Sequence, residues 1–160
     1  MTVLSVDKDA SAQTLAITAE FDAPVDNVWQ LWADPRLFER WWGPPEHPTT
    51  VQHYDLTTGG TITYVMASPD GNKVEGTWNV IAVDEPTRLV FEDADLGDDG
   101  LPADGNGITR MEVVIASEGA KSRMVITTFF AGTEGMEHML SGFEEGMHQV
   151  IAQMEALLAA

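Results

Sequence analysis

Cysteine is absent from this sequence of 160 residues. Disulfide bonds, thiolate catalysis and zinc sites with cysteine ligands are therefore excluded. Basic residues are scarce, since 8 Lys and Arg stand against 26 Asp and Glu, and the formal net charge is −18. Nucleic acids and anionic membranes are bound through Lys and Arg, so we expect neither as a partner. The same charge disfavours strongly anionic substrates.

Long apolar runs are also lacking, because no uninterrupted apolar stretch approaches the length of a membrane span. The opening residues, MTVLSVDKDASAQ, lack the charged and apolar regions of a secretion signal. We therefore expect a cytoplasmic protein with no membrane insertion. A chain of this length suits one domain, residues 1–160 with a core over about 13–158, whose interior is either filled or surrounds a small pocket.

The first part of the chain predicts one strand and then two short helices. Apolar residues alternate with polar or small ones in the strand; they are Leu15, Ile17, Ala19 and Phe21. Asp22 is expected to cap the first helix, with Pro24 in its first turn. Asp34 and Pro35 are expected to begin the second helix, and the Gly-Pro-Pro sequence at 43–45 is expected to end it.

The pattern from 49 to 130 is that of consecutive strands, and a long helix follows. Alternating apolar residues between turn signals predict six further strands, over 49–56, 61–66, 74–80, 88–92, 111–115 and 124–130. Hairpin connections between them favour a meandering antiparallel sheet. From about 133 the apolar residues recur at helical spacing. The expected fold is α+β, with a curved sheet gripping a long C-terminal helix.

The acidic segment 92–107, EDADLGDDGLPADGNG, invites a calcium interpretation. An EF-hand loop needs ligands at alternate positions, a central Gly and a closing Glu between two helices. No register of this segment supplies them, and strands are predicted on both sides, so we expect a solvated hairpin loop. None of the four histidines forms a short metal-binding spacing; they are His47, His53, His138 and His148. We therefore expect no metal.

Catalytic motifs are lacking as well. The sequence contains no nucleophile elbow, phosphate-binding loop or dinucleotide fingerprint. His53 and Glu75 are the only candidates for acid–base chemistry, and Glu75 falls on the outward face of its predicted strand. Glu144 and Glu145 are expected to be a solvated pair. We expect no catalytic residue and no cofactor.

The methionines of this sequence are concentrated on the predicted inward faces of the final helix and the strands. Four occupy one side of the final helix and three occupy facing strands: Met136, Met139, Met147, Met154, Met66, Met111 and Met124. Methionine adapts its shape through many rotamers. Two interpretations stay open: plain filling of the core, or an adaptable apolar pocket between the sheet and the helix.

Four segments carry a family resemblance that extends over about 15–158. They are FDAPVDNVWQLWADPRLFERWWGPP, DLTTGGTITYVMASPDG, DEPTRLVF and SGFEEGMHQVIAQMEALL. Together they resemble the bacterial members of the heat-shock-protein-90 ATPase activator homologue family, within the START-like SRPBCC superfamily. The resemblance implies a helix-grip fold, with six or seven antiparallel strands around the C-terminal helix and a cavity between them. It also places the WWGP segment beside one end of the cavity, with one tryptophan anchoring the helix and the other facing the pocket mouth or solvent.

The resemblance does not imply one function, since superfamily members include lipid carriers, hormone receptors, polyketide cyclases and oxygenase subunits. An oxygenase is disfavoured because an iron–sulfur site would need cysteines. Eukaryotic activators bind the chaperone through an additional N-terminal domain, for which this chain is expected to be too short.

The leading hypothesis is a non-catalytic module that binds a small apolar or amphipathic molecule in the cavity. The predicted lining residues are Trp41, Tyr64, Met66, Trp78, Phe91, Met111, Thr128, Met139, Phe143 and Met147. The alternatives are a protein-interaction module resembling a co-chaperone, and a cyclase- or hydrolase-like enzyme that uses the same cavity. A homodimer through an edge strand or an exposed apolar surface is compatible with the sequence.

Overall fold

The structure is a computed structural model that describes residues 3–9, 11–42, 46, 48–93, 108–130 and 133–159, without the side chains of 4, 74 and 133–143. Its strands are β1 (Val3–Asp9), β2 (Thr14–Phe21), β3 (Thr49–Tyr54), β4 (Thr61–Ala67), β5 (Lys73–Asp84), β6 (Arg88–Asp93), β7 (Ile108–Glu118) and β8 (Lys121–Phe130). Its helices are α1 (Val25–Ala33), α2 (Pro35–Trp41) and α3 (Thr133–Ala159).

The described strands form one antiparallel sheet in the order β1-β2-β8-β7-β6-β5-β4-β3. Strands β3 to β8 follow one another as a meander, which confirms the predicted hairpins. Strand β2 pairs with β8 rather than with β3. Helices α1 and α2 therefore carry the chain from the β2 side of the sheet to its far edge at β3. The helix-grip, α+β architecture is confirmed.

The strand count differs from the expected six to seven, because the described sheet has eight strands. The additional strand is β1, which pairs antiparallel with β2 at the edge of the sheet. In its sequence, VLSVDKD, Val3 and Val6 pack against the core, and the exposed residues include two aspartates and a lysine. So little apolar alternation gives a weak strand signal. Charged residues suit an edge strand because they discourage pairing with other chains.

The concave face of the sheet carries an apolar layer that continues across the strands. In β2, buried residues alternate with partly buried ones over the whole strand. The pairing register places Ile17 beside Ile126, Ile126 beside Val113, and Val113 beside Leu89. Because side chains alternate between the two faces of a strand, this register directs one continuous apolar row toward the helices.

The two short helices begin differently from one another. Asp34 caps α2 as predicted: its carboxylate Oδ1 accepts a hydrogen bond from the Arg36 N–H at 2.9 Å, and Pro35 occupies the first turn. The predicted Asp22 cap of α1 is wrong, because the capping residue is Pro24 and no side chain caps the helix. Pro24 has extended backbone angles suited to that position and cannot offer a side-chain oxygen. The predicted stop at 43–45 lies outside the described residues.

Helix α3 packs against the concave side of the sheet with its C-terminal half. Among the described side chains of α3, which begin at 144, the buried apolar ones are Met147, Val150, Ile151 and Met154. The spacing of these residues is that of one helical face, so the predicted amphipathic pattern is present here. Among the described residues, no helix is long and apolar enough to cross a membrane.

Candidate functional site

A cluster of aromatic side chains joins α1 and α2 to strands β3–β6. Its rings contact one another with centroid separations between 4.6 and 6.4 Å, mostly in edge-to-face geometry. Such arrangements are favoured by the quadrupoles of the rings. We call this set the aromatic cluster; its members are Trp32, Phe38, Trp41, Trp42, Tyr54, Tyr64, Trp78 and Phe91.

Trp41 is the anchor of α2 within this cluster. Its side chain is 1% exposed, and its Nε1–H donates to the carbonyl of Leu31 at 2.7 Å. Its backbone carbonyl accepts a hydrogen bond from Gln153 Nε2 of α3 at 3.2 Å. Trp41 therefore ties α2 to both α1 and α3.

Trp42 occupies a more accessible position beside the anchor. Its ring is partly buried, stacks on Phe38 at 5.0 Å and meets Tyr64 edge-to-face at 5.7 Å. Its backbone carbonyl accepts a hydrogen bond from the Thr49 hydroxyl at 2.7 Å, which holds the end of α2 against β3. The helix ends at Trp41 and Trp42 has extended backbone angles, so the buried Trp41 ring and the partly exposed Trp42 ring meet edge-to-face at 5.6 Å.

Tyr64 lies flat across the neighbouring strand, over a glycine. Tyr64 and Gly76 are cross-strand partners, and a Cβ at position 76 would lie 2.3 Å from Cζ of the tyrosine. Only glycine leaves room for this ring. The Tyr64 hydroxyl then accepts a hydrogen bond from Trp78 Nε1 at 3.2 Å. The pair forms a polar point within an otherwise apolar surface.

Five of the predicted lining residues are brought together on the strands. Thr128, Met111 and Phe91 are successive cross-strand neighbours on β8, β7 and β6. Phe91 meets Trp78 edge-to-face at 5.2 Å, and Trp78 leads to Tyr64. All five are buried. They form a continuous band across the concave face, which we call the lining band.

Of the other five predicted lining residues, three have described side chains. Met66 is partly buried on β4, and Met147 is buried on α3. Trp41, the last residue of α2, is buried in the aromatic cluster. The side chains of Met139 and Phe143 lie outside the described part of the structure. The role of all ten residues in ligand binding stays a prediction.

The polar candidates from the sequence are found elsewhere. His53 and Glu75 are exposed on β3 and β5. Among the described residues, no three His, Asp or Glu side chains are grouped so that they could hold a metal ion. The acidic segment lies outside the described residues beyond Asp93, as does His47, and the side chain of His138 is not described either. The described site is therefore mainly apolar and aromatic, with one charged exception: Asp93, which is buried at the end of β6 and is the cross-strand partner of Trp78.

Several members of the aromatic cluster were not predicted as site residues. They are Trp32, Phe38, Trp42 and Tyr54. The spacing of Phe38, Trp41 and Trp42 is i, i+3 and i+4, which places the three rings on neighbouring turns of a helix. That signal could have indicated a cluster on α2. Tyr54 gives no comparable signal, because its contact with α1 is made across 22 residues of sequence.

Tyr54 links β3 to α1 through its hydroxyl, which donates to the carbonyl of Trp32. Burial raises the pKa of Tyr54 above its ordinary value of 10.0, and the negative charge of Asp34 adds to this effect. The neutral phenol is thus favoured in the folded protein. In the unfolded chain the phenol ionises near pH 10.

We expect the free energy of unfolding to fall as the pH rises above about 10, since only the unfolded chain then releases the Tyr54 proton. The contribution is fully present below pH 10 and declines by up to about 1.4 kcal/mol per pH unit above it. Urea unfolding of wild type and Tyr54→Phe between pH 8 and 11 measures this, because the variant lacks the titrating phenol. Parallel pH profiles for the two proteins would contradict the expectation.

The family model described as "Activator of Hsp90 ATPase homolog 1-like protein" matches residues 22–159. The chain belongs to this family. The resemblance found in the sequence is therefore confirmed, and the START-like fold agrees with the solved structures of similar proteins. No curated protein matches this chain in sequence.

Solved structures of similar proteins align with almost the whole of this chain. A protein of Arthrobacter aurescens is 42% identical and has a TM-score of 0.88. The alignment covers 99% of this chain and 92% of the Arthrobacter protein. A protein of Mycobacterium smegmatis is 39% identical, covers 98% of both chains and has a TM-score of 0.83. A protein of Nitrosomonas europaea is 23% identical, covers 96% of this chain and 97% of its own, and has a TM-score of 0.79, which supports the fold alone.

Proposed function

We propose that this chain is a non-catalytic START-like module that holds a small apolar or amphipathic molecule between the lining band and helix α3. The observation that carries the proposal is the lining band itself. It presents apolar and aromatic groups in one row and includes a few polar groups, namely the Thr128 hydroxyl and the Tyr64–Trp78 pair. Ligand sites are commonly built from an apolar lining with a few placed polar groups.

The position of the acid–base candidates supports binding rather than catalysis. A general acid or base must reach the substrate within hydrogen-bond distance, directly or through one water. His53 and Glu75 are exposed, whereas the lining band is buried. Neither residue therefore faces a molecule held on the concave side.

Trp42 supports the proposal from the accessible side of the cluster. Its partly buried ring contacts Tyr64 and, at 6.4 Å, Phe91. A ring that touches the lining band yet keeps contact with solvent suits the rim of a binding site. Tryptophan at such a rim supplies a large contact area and few rotatable bonds.

The neutral, apolar probe N-phenyl-1-naphthylamine tests the proposal, because its fluorescence rises in apolar surroundings and the acidic protein does not repel it. We expect saturable binding, which Trp42→Ala weakens about tenfold through lost ring contacts. Ile81→Ala is the matched control, since Ile81 is an exposed apolar residue that is 41% accessible. We also expect native mass spectrometry of protein from its own host to detect a small molecule that denaturation releases.

Two results would overturn the proposal. One is the absence of both probe binding and a co-purified molecule. The other is probe binding that Trp42→Ala and Ile81→Ala alter equally, because such binding would not involve the rim of the lining band.

A further inference from the structure

The indole N–H of Trp32 is a buried donor without a partner. Among the described residues, two buried side-chain nitrogens make no hydrogen bond: Nε1 of Trp32 and Nε of Arg110. The Arg110 guanidinium lies over the Phe129 ring at 5.8 Å and its residue is only partly buried. Trp32, in contrast, is 1% exposed, so water cannot readily serve its single donor.

Neighbouring indoles show that this arrangement is exceptional within the aromatic cluster. Trp41 donates to a carbonyl at 2.7 Å, and Trp78 donates to a hydroxyl at 3.2 Å. Buried polar groups are almost always hydrogen-bonded, because a lost hydrogen bond to water is costly. An unsatisfied donor that persists in a packed cluster therefore needs an explanation.

The position of Trp32 connects it to the proposed ligand site. Its ring lies 6.2 Å from Phe91 of the lining band and meets Trp41 edge-to-face at 4.6 Å. The fold thus places the unpartnered indole of α1 next to Phe91, whose cross-strand neighbour is Met111. The indole nitrogen is closed off in this structure, so a ligand reaches it only when neighbouring side chains move, and it then satisfies the donor only if it carries an acceptor.

We infer that Nε1–H of Trp32 is the hydrogen-bond anchor for the ligand, and that the ligand is a largely apolar molecule with a neutral acceptor oxygen of the carbonyl type. This inference rests on the proposed function. An indole offers one hydrogen bond and no charge, which cannot offset the cost of burying a carboxylate, so the site favours a neutral acceptor. The net charge of −18 acts in the same direction, because it opposes the entry of an anion.

Two isosteric probes test the anchor: 2-acetylnaphthalene carries a carbonyl, and 2-isopropenylnaphthalene has a methylene group in the same place. With the full-length protein we expect the ketone to bind about tenfold more tightly, as one hydrogen bond to a buried donor provides. Trp32→Phe should reverse the preference in favour of the alkene, because the buried ketone then loses water without gaining a donor, while an aromatic ring stays in place. Phenylalanine has no N–H donor.

Proton NMR of the indole N–H groups in the wild-type protein provides a second readout, which does not depend on whether Trp32→Phe folds. The Trp32 signal is assigned from nuclear Overhauser effects to the Phe91 and Trp41 rings, which lie at 6.2 and 4.6 Å between centroids. We expect the ketone to move it downfield and the alkene to leave it in the range of a free indole. Equal affinities with an unmoved Trp32 signal would overturn the anchor and leave the binding module intact. Binding of neither probe would overturn the anchor together with the proposed function.

Discussion

Replacement of Trp41 by alanine is expected to lower the free energy of unfolding by about 3–5 kcal/mol, the usual range for a fully buried large aromatic residue. The ring is 1% exposed and packs edge-to-face on Trp32 and Phe38, at 4.6 and 5.1 Å. Its removal leaves a cavity where α1, α2 and the sheet meet. It also leaves the Leu31 carbonyl without the indole donor that it has at 2.7 Å.

Trp42→Ala is the matched control, because it removes the same side chain one residue later. The Trp42 ring is only partly buried, and the indole hydrogen bond that anchors α2 to α1 is made by Trp41. We expect a loss of about 1–2 kcal/mol, in proportion to the smaller apolar area removed from water. Urea or guanidinium unfolding of both variants at neutral pH measures the difference. Equal losses would contradict the assignment of Trp41 as the anchor and Trp42 as the rim residue.

Replacement of Gly76 by alanine is expected to destabilise the protein by about 2–4 kcal/mol, from overpacking and a lost hydrogen bond. The new Cβ would lie 2.3 Å from Cζ and 2.5 Å from the hydroxyl oxygen of Tyr64. The ring cannot move aside freely, because Trp42 and Phe38 contact it at 5.7 and 6.3 Å. A displacement of the ring away from Gly76 also disturbs the hydrogen bond that its hydroxyl accepts from Trp78 at 3.2 Å.

A double-mutant cycle isolates this contact. In a Tyr64→Ala background the ring is absent, so Gly76→Ala should cost less than about 1 kcal/mol. The stability of the four proteins is measured by urea unfolding under one set of conditions. Gly71→Ala is an unsuitable control, since Gly71 has a positive φ of 88° and would add backbone strain. Strictly additive losses in the cycle would show that the two residues do not depend on one another.

The chain's local patterns determined most of the secondary structure. Alternation in β2 placed Leu15 and Ile17 on the inner face because side chains on a strand alternate with a period of two. Asp34 and Pro35 were sufficient to locate the start of α2, since capping depends on residues that are adjacent in sequence. The weak pattern of β1 escaped prediction because pairing with β2, rather than its own burial, makes it a strand.

The site itself was predicted in part. Thr128, Met111 and Phe91 could be assigned to the inner face from alternation, but that they are direct neighbours follows from the pairing register of three strands. The sequence also contained the two adjacent tryptophans without indicating which one would be buried. The end of α2 at Trp41 gives the two residues different backbone conformations, and the burial of Trp41 depends on how α2 lies against α1 and α3.

The sequence by itself thus determined the α+β class, the order of the elements from β2 to α3 and the apolar inner faces, because these depend on periodicity and on neighbouring residues. Only the tertiary structure decided that β2 pairs with β8, that Tyr64 lies over Gly76, and that the Trp32 donor is buried without a partner. Such contacts join residues far apart in the chain. They depend on packing and on the satisfaction of hydrogen bonds in three dimensions, which no local pattern encodes.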